Sequence, residues 1–101
     1  MATSEIFLTA TALRKGEIDP LVAAHRIAKL RFETENPEDD VFMSFRAVDS
    51  DADRFPVGEA RRSCSVDYLQ RMDAELAAYL KEATPDLLKA CDELIERFGG
   101  K

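Results

Sequence analysis

The chain has 101 residues, 46% of them hydrophobic and 34% charged, with four glycines, four prolines and a formal net charge of −6. That length leaves room for one domain, residues 1–101, able to bury roughly 65% of its unfolded surface; this argues against a core plus a deep cofactor cleft, and the composition is that of a folded chain. The acidic balance disfavours binding to a nucleic-acid backbone, which needs clustered positive charge, and no apolar run approaches the roughly 20 residues that span a bilayer.

Taken in chain order, the punctuation is helical throughout. Ser4 is placed to cap a first helix carrying Ile6, Phe7, Ala10 and Leu13, and Gly16 follows Arg14 and Lys15 as its stop. Asp19 and Pro20 read as an N-cap with proline in the first turn of a second helix, "PLVAAHRIAKLRF". Asn36 and Pro37 repeat that device before Glu38, Asp39 and Asp40, and the third helix then shows Val41, Phe42, Phe45 and Val48 on one face. Ser65 is expected to cap a fourth helix with Leu69, Met72, Leu76 and Leu80 on its stripe. Thr84 and Pro85 open a fifth with Leu87, Leu88, Cys91, Leu94, Ile95 and Phe98, ending at Gly99. Five helices with short connections predict an all-α bundle with neighbours antiparallel.

Charge is unevenly placed. Residues 33–53 hold eight acids against a single base, Arg46, a net −7, while the rest of the chain is close to neutral. A concentrated acidic segment steers a basic partner, so Glu38, Asp39, Asp40, Asp49, Asp51 and Asp53 are the expected partner-binding residues. The plain reading of the first three is electrostatic support of a helix N-terminus.

The alternate aspartates 49, 51 and 53 invite two sharper readings. As a calcium loop starting at Asp49 the first three ligands fall correctly, but Arg54 occupies the glycine position and Ala60 stands where the bidentate glutamate belongs. As an aspartyl-phosphate catalytic pair, "FRAVDSDAD" would need a parallel sheet with a magnesium site, which a helical pattern of this length does not supply. A divalent-metal protein or metal-dependent enzyme using Asp49, Asp51 and Asp53, with Glu59 nearby, remains the alternative. The favoured reading is a solvated loop in which Arg54, Arg61 and Arg62 pair with the aspartates and Glu59, exposed pairs contributing up to about 1 kcal/mol each.

His25 is the single histidine and reads as a helix-surface or partly packed ring rather than a ligand or base. Cys64, beside Arg61 and Arg62, is either a reactive thiol or an incidental one, the latter favoured; Cys91 reads as core. With no cysteine pairing or metal spacing, and with the acid early and the bases late in the amino-terminal stretch, the expectation is a reduced, cytoplasmic protein without a signal peptide.

Three stretches carry a resemblance: "GEID" with "AAHRIAKLR" (Gly16 to Arg31), "F-x-x-VDS-x-x-D-x-x-PVGEARR" (Phe45 to Arg62) and "AC-x-x-LI" (Ala90 to Ile95). Together they resemble a family of short bacterial proteins of unknown function. Similar sequences are expected to carry Glu-Thr where Asp51 and Ala52 stand, and an aromatic near Cys64; the first departure makes the alternating aspartates a local variation. The resemblance implies an all-α single domain and supplies no catalytic residue or cofactor. The functional expectation is therefore a non-enzymatic protein-binding module, whether adaptor, regulatory subunit or immunity-like inhibitor, that meets a basic protein through its acidic segment. It has no cofactor, metal or membrane role, and the stripes of the last two helices also allow a homodimer.

Overall fold

The computed structural model describes residues 2–55 and 58–99. Four α-helices follow in order, α1 (Ala2–Arg14), α2 (Pro20–Leu30), α3 (Met43–Ala52) and α4 (Val66–Phe98), with no strand among the described residues. Short 3₁₀ turns at Arg31–Glu33, Asp40–Phe42 and Gly58–Ser63 join them.

Helix α1 buries Ile6, Thr9, Ala10 and Leu13, one face at three- and four-residue steps. Thr9 is tolerated there because its hydroxyl donates to the Glu5 carbonyl at 2.7 Å. The helix reaches back to Ala2, so Ser4 lies inside the first turn instead of capping it. Its end is the expected one. Gly16 takes φ +75°, its amide donates to the Leu13 carbonyl, and the Glu17 amide donates to that of Ala12, so two carbonyls of the last turn gain partners.

Asp19 caps α2 as predicted. Its Oδ1 accepts from the Leu21 and Val22 amides at 2.8 and 3.4 Å, with Pro20 in the first turn. The third helix begins later than expected. Asn36 and Pro37 form a turn, closed by the Asp39 amide on the Asn36 carbonyl, and it is Asp39 that caps, accepting from the Val41 amide at 2.9 Å. The segment winds through a 3₁₀ turn before α3, and Val41, Phe42, Phe45 and Val48 are all buried.

The two predicted carboxy-terminal helices are one. Helix α4 runs 33 residues through Pro85, so the count is four, not five. The reason is register: Leu69, Met72, Leu76, Leu80, Ala83, Leu87, Cys91, Leu94 and Phe98 continue one stripe in steps of three and four without a phase break at Thr84–Pro85. Proline removes one amide donor. Thr84 does not cap; its hydroxyl donates to the Leu80 carbonyl at 2.5 Å within the same helix.

Helix α4 is the spine. Arg14 meets Asp92 at 3.1 Å and Phe7 lies against Gly99, so α1 runs antiparallel to it. A Cβ at Gly99 would collide with the Phe7 ring, so glycine here serves close approach. Phe42 stacks on Phe98 at one end of α3 and Asp51 meets Tyr79 at the other, so α3 is antiparallel to α4 as well. Helix α2 lies beside α1 and antiparallel to α3, which completes an up-down-up-down arrangement. The core is built from Ile6, Ala10, Leu13, Ala23, Ala24, Ile27, Phe42, Phe45, Leu87, Cys91 and Leu94. At about 1.5 Å per residue α4 is about 50 Å long, matching the 48 Å long axis of the molecule. Its first half therefore projects past the other three helices.

Candidate docking face between α2 and α3

The aspartates expected in a loop lie at the end of a helix. Asp49 and Asp51 belong to the last turns of α3 and Asp53 is its helical C-cap. Residues four apart share a helix face and residues two apart do not. Asp49 and Asp53 therefore both border the groove between α2 and α3, whereas Asp51 turns to α4, where its Oδ2 accepts from the Tyr79 hydroxyl at 2.9 Å. Burial first, and then that hydrogen bond, push the Tyr79 phenol up to about 12. The three carboxylates consequently diverge, and no group of three or more His, Cys, Asp or Glu suited to a metal ion occurs among the described residues.

Of the expected pairing of Arg54, Arg61 and Arg62 with these aspartates and Glu59, the Arg62–Glu59 pair forms, and no pair with Asp49, Asp51 or Asp53 occurs among the described residues. Arg54 lies over the rings of Phe55 and Tyr79, at 4.5 and 5.9 Å from their centroids. Arg61 makes a two-pronged bond to Asp73 of α4, at 2.9 and 3.0 Å, which holds the Asp73 carboxyl below its ordinary value. Arg62 reaches Glu59 at 3.8 Å, both side chains nearly fully exposed. The Gly58–Ser63 turn is tied to α4 by the Arg61–Asp73 bond. Pro56 and Val57 lie outside the described residues.

The acidic segment is largely answered from within. Glu38 accepts from Arg31 and Arg46 at 3.4 and 3.2 Å. Asp39 accepts from the Val41 amide and pairs with Arg97; the first of these, reinforced by the arginine, lowers its carboxyl below the ordinary value. Asp49 accepts from His25 Nδ1 at 2.8 Å. A carboxylate only accepts, so that nitrogen carries the proton. Asp40 and Asp53 are exposed, and neither side chain has a hydrogen-bond or ion-pair partner among the described residues.

Two contiguous hollows open along this groove. One of about 410 Å³ is lined by Leu21, Val22, His25, Asp49, Ala52, Asp53 and Phe55. The other, about 570 Å³, includes Ala28, Lys29, Phe32, Met43, Arg46 and again Asp49 and Asp53. Val22, Phe32 and Met43 leave 47%, 64% and 56% of their surface in water. Phe32 and Met43 share one hollow and Val22 lines the other, so the groove has exposed apolar groups at both ends, with Asp49 and Asp53 bordering both hollows. Sequence reasoning missed these three apolar groups. The available signal was phase, since Met43 falls outside the 41, 42, 45, 48 stripe and Phe32 follows the end of α2. His25 was expected as a bystander, and its bond to Asp49 joins residues 24 apart in the chain.

Cys64 is half-buried, its thiol donating to the Ala60 carbonyl at 3.4 Å. Cys91 is wholly buried, and burial pushes its thiol up to about 11. No helix among the described residues is long and apolar enough to cross a membrane. No family model matches the chain, and no curated protein or solved structure matches it either, so the family resemblance rests on its three motifs alone.

Proposed function

We propose that this protein is a non-enzymatic protein-binding module, an adaptor, regulatory or immunity-like protein, that docks a basic partner on the α2/α3 face. The observation that carries the reading is the coincidence, on one groove, of the exposed apolar Val22, Phe32 and Met43 with Asp49 and Asp53. Apolar area supplies affinity and unpaired charge supplies steering and orientation. Of the six acids expected to meet a partner, Asp49 and Asp53 border the groove, Asp40 is free, and Glu38, Asp39 and Asp51 are engaged internally. The two unpaired cysteines fit a reducing, cytoplasmic setting.

The test is affinity capture from lysate of the source organism, comparing wild type with V22E/M43E and with D49N/D53N, followed by mass spectrometry. A basic protein retained by wild type and lost from V22E/M43E supports the reading, and equal recovery by all three sinks it. Light scattering on the purified chain separates self-association: a mass that rises with concentration would make a second copy the occupant.

A further inference from the structure

Resting on that docking reading, we infer that the α2/α3 groove receives an amphipathic helix of the partner whose arginine bridges Asp49 and Asp53, with apolar side chains on either side. The groove lies between two antiparallel helices, which is the geometry that seats a third helix by its apolar face. Its apolar anchors stand at the two ends: Leu21, Val22, Ala52 and Phe55 at one, Phe32 and Met43 at the other. Val22 and Phe32 are ten residues apart on and just beyond α2, about 15 Å at helical rise, or nearly three turns of a docked helix.

The middle of the groove carries the charge. Asp49 and Asp53 stand one turn apart, so their side chains emerge about 6 Å from each other. Asp53 has no side-chain partner among the described residues, and Asp49 gives one oxygen to His25 and keeps the other. Two carboxylates at that spacing suit a planar guanidinium, which presents donors on both edges, better than a point-charge ammonium. The stem of the same arginine would lie over Val22 and Ala52, so burial and charge act on one side chain. Positive groups at the far end are Arg31 and Arg46, both answered by Glu38, and Lys29. Arg54 stands at the other end, over the Phe55 ring, so the groove is negative at its centre with positive groups at both ends, which centres a docked arginine on Asp49 and Asp53.

The probe is a blocked alanine–glutamine helical peptide with leucines at i and i+11, matching that span on one face, and an arginine at i+4, titrated into the ¹⁵N-labelled full chain. The expected result is a saturable shift of the Val22, Ala52, Asp53 and Met43 amides. Binding should weaken about tenfold or more in D49N/D53N and with citrulline replacing the arginine, as loss of a charge-assisted bond requires. Lysine should fall between the two. Equal binding of the arginine and citrulline peptides overturns the inference, as does absence of saturable shifts in this groove. Unchanged melting temperature of D49N/D53N guards against a folding artefact; should it fall, D53N alone serves, since that side chain makes no internal bond among the described residues. If capture of the natural partner is lost in V22E/M43E but kept in D49N/D53N, this inference fails while the docking reading stands. If capture survives both, the docking reading itself has failed.

Discussion

The two halves of α4 carry nearly the same apolar spacing and have different fates. From Leu87 to Leu94 the stripe is sealed against α1 and α3, with Leu87, Cys91 and Leu94 fully buried and Ala90 nearly so. From Val66 to Leu80 no residue is buried: Leu69, Met72, Leu76 and Leu80 are half-covered and Val66 is 69% exposed. What differs is what lies alongside. The second half has helices on two sides, whereas beside the first lies a 3₁₀ turn held by Arg61 on Asp73. Periodicity thus selects the helix, and the reach of the neighbouring elements selects how much of it is core.

The comparison can be broken hardest from the buried side. L94A should cost about 2–5 kcal/mol by urea unfolding, while L69A should stay within about 1 kcal/mol. Equal losses would mean that the first half is covered in solution by a partner or a second copy. The thiols give a second handle. Native-state alkylation near pH 8 should modify Cys64 and spare Cys91, which is both sealed and held protonated by a thiol value near 11. Modification of both at one rate would place the opening of the second half on a par with that of the turn before α4.

Pro85 is the seam between the halves. P85A restores an amide donor and should stabilise by about 1–3 kcal/mol, read as a higher urea midpoint with an unchanged slope. A loss of stability would show that a bend at the seam is needed for α4 to reach both α1 and α3.

The smallest expected effect is electrostatic. Asp39, bonded by the Val41 amide and by Arg97 of the second half, and Asp73, bonded by Arg61 on the first, both have carboxyls lowered from 3.8 in the folded chain. A lowered folded value means that the unfolded chain takes up the proton first. The contribution is therefore complete above the unfolded value and is lost as pH falls below about 4 through the folded one. Melting curves between pH 6 and pH 2.5 should lose less stability in D39N and D73N than in wild type. A D39N profile that parallels wild type would show that the Arg97 contact does not fasten the Asp39 turn to α4.

Much of the bundle was legible because its determinants are local. The Asp19–Pro20 cap, the Gly16 stop and the 41, 42, 45, 48 stripe each lie within two turns of chain. Three local choices went the other way: Ser4 lies inside α1, which reaches back to Ala2, and each of the other two had a local competitor. Asp39 capped where Asn36 was expected, three residues nearer the apolar face it serves, and the unbroken stripe outweighed the Thr-Pro signal at residue 84. The candidate site was legible only in its acids. Asp49 and Asp53 share a face once α3 extends to residue 52, and that extension is a matter of one helical turn.

The sequence by itself therefore determined the all-α class, the caps at Asp19 and Ser65, the stops at Gly16 and Gly99 and the apolar faces, since these depend on 3.6-residue spacing and on side chains within reach of their own backbone. The tertiary structure decided where the charges go: Glu38 to Arg31 and Arg46, Asp39 to Arg97, Asp51 to Tyr79 and Asp49 to His25. It also decided that Val22, Phe32 and Met43 are left facing water along one groove. A side chain's partner is fixed by which helices come together, and composition and spacing carry no record of that distance.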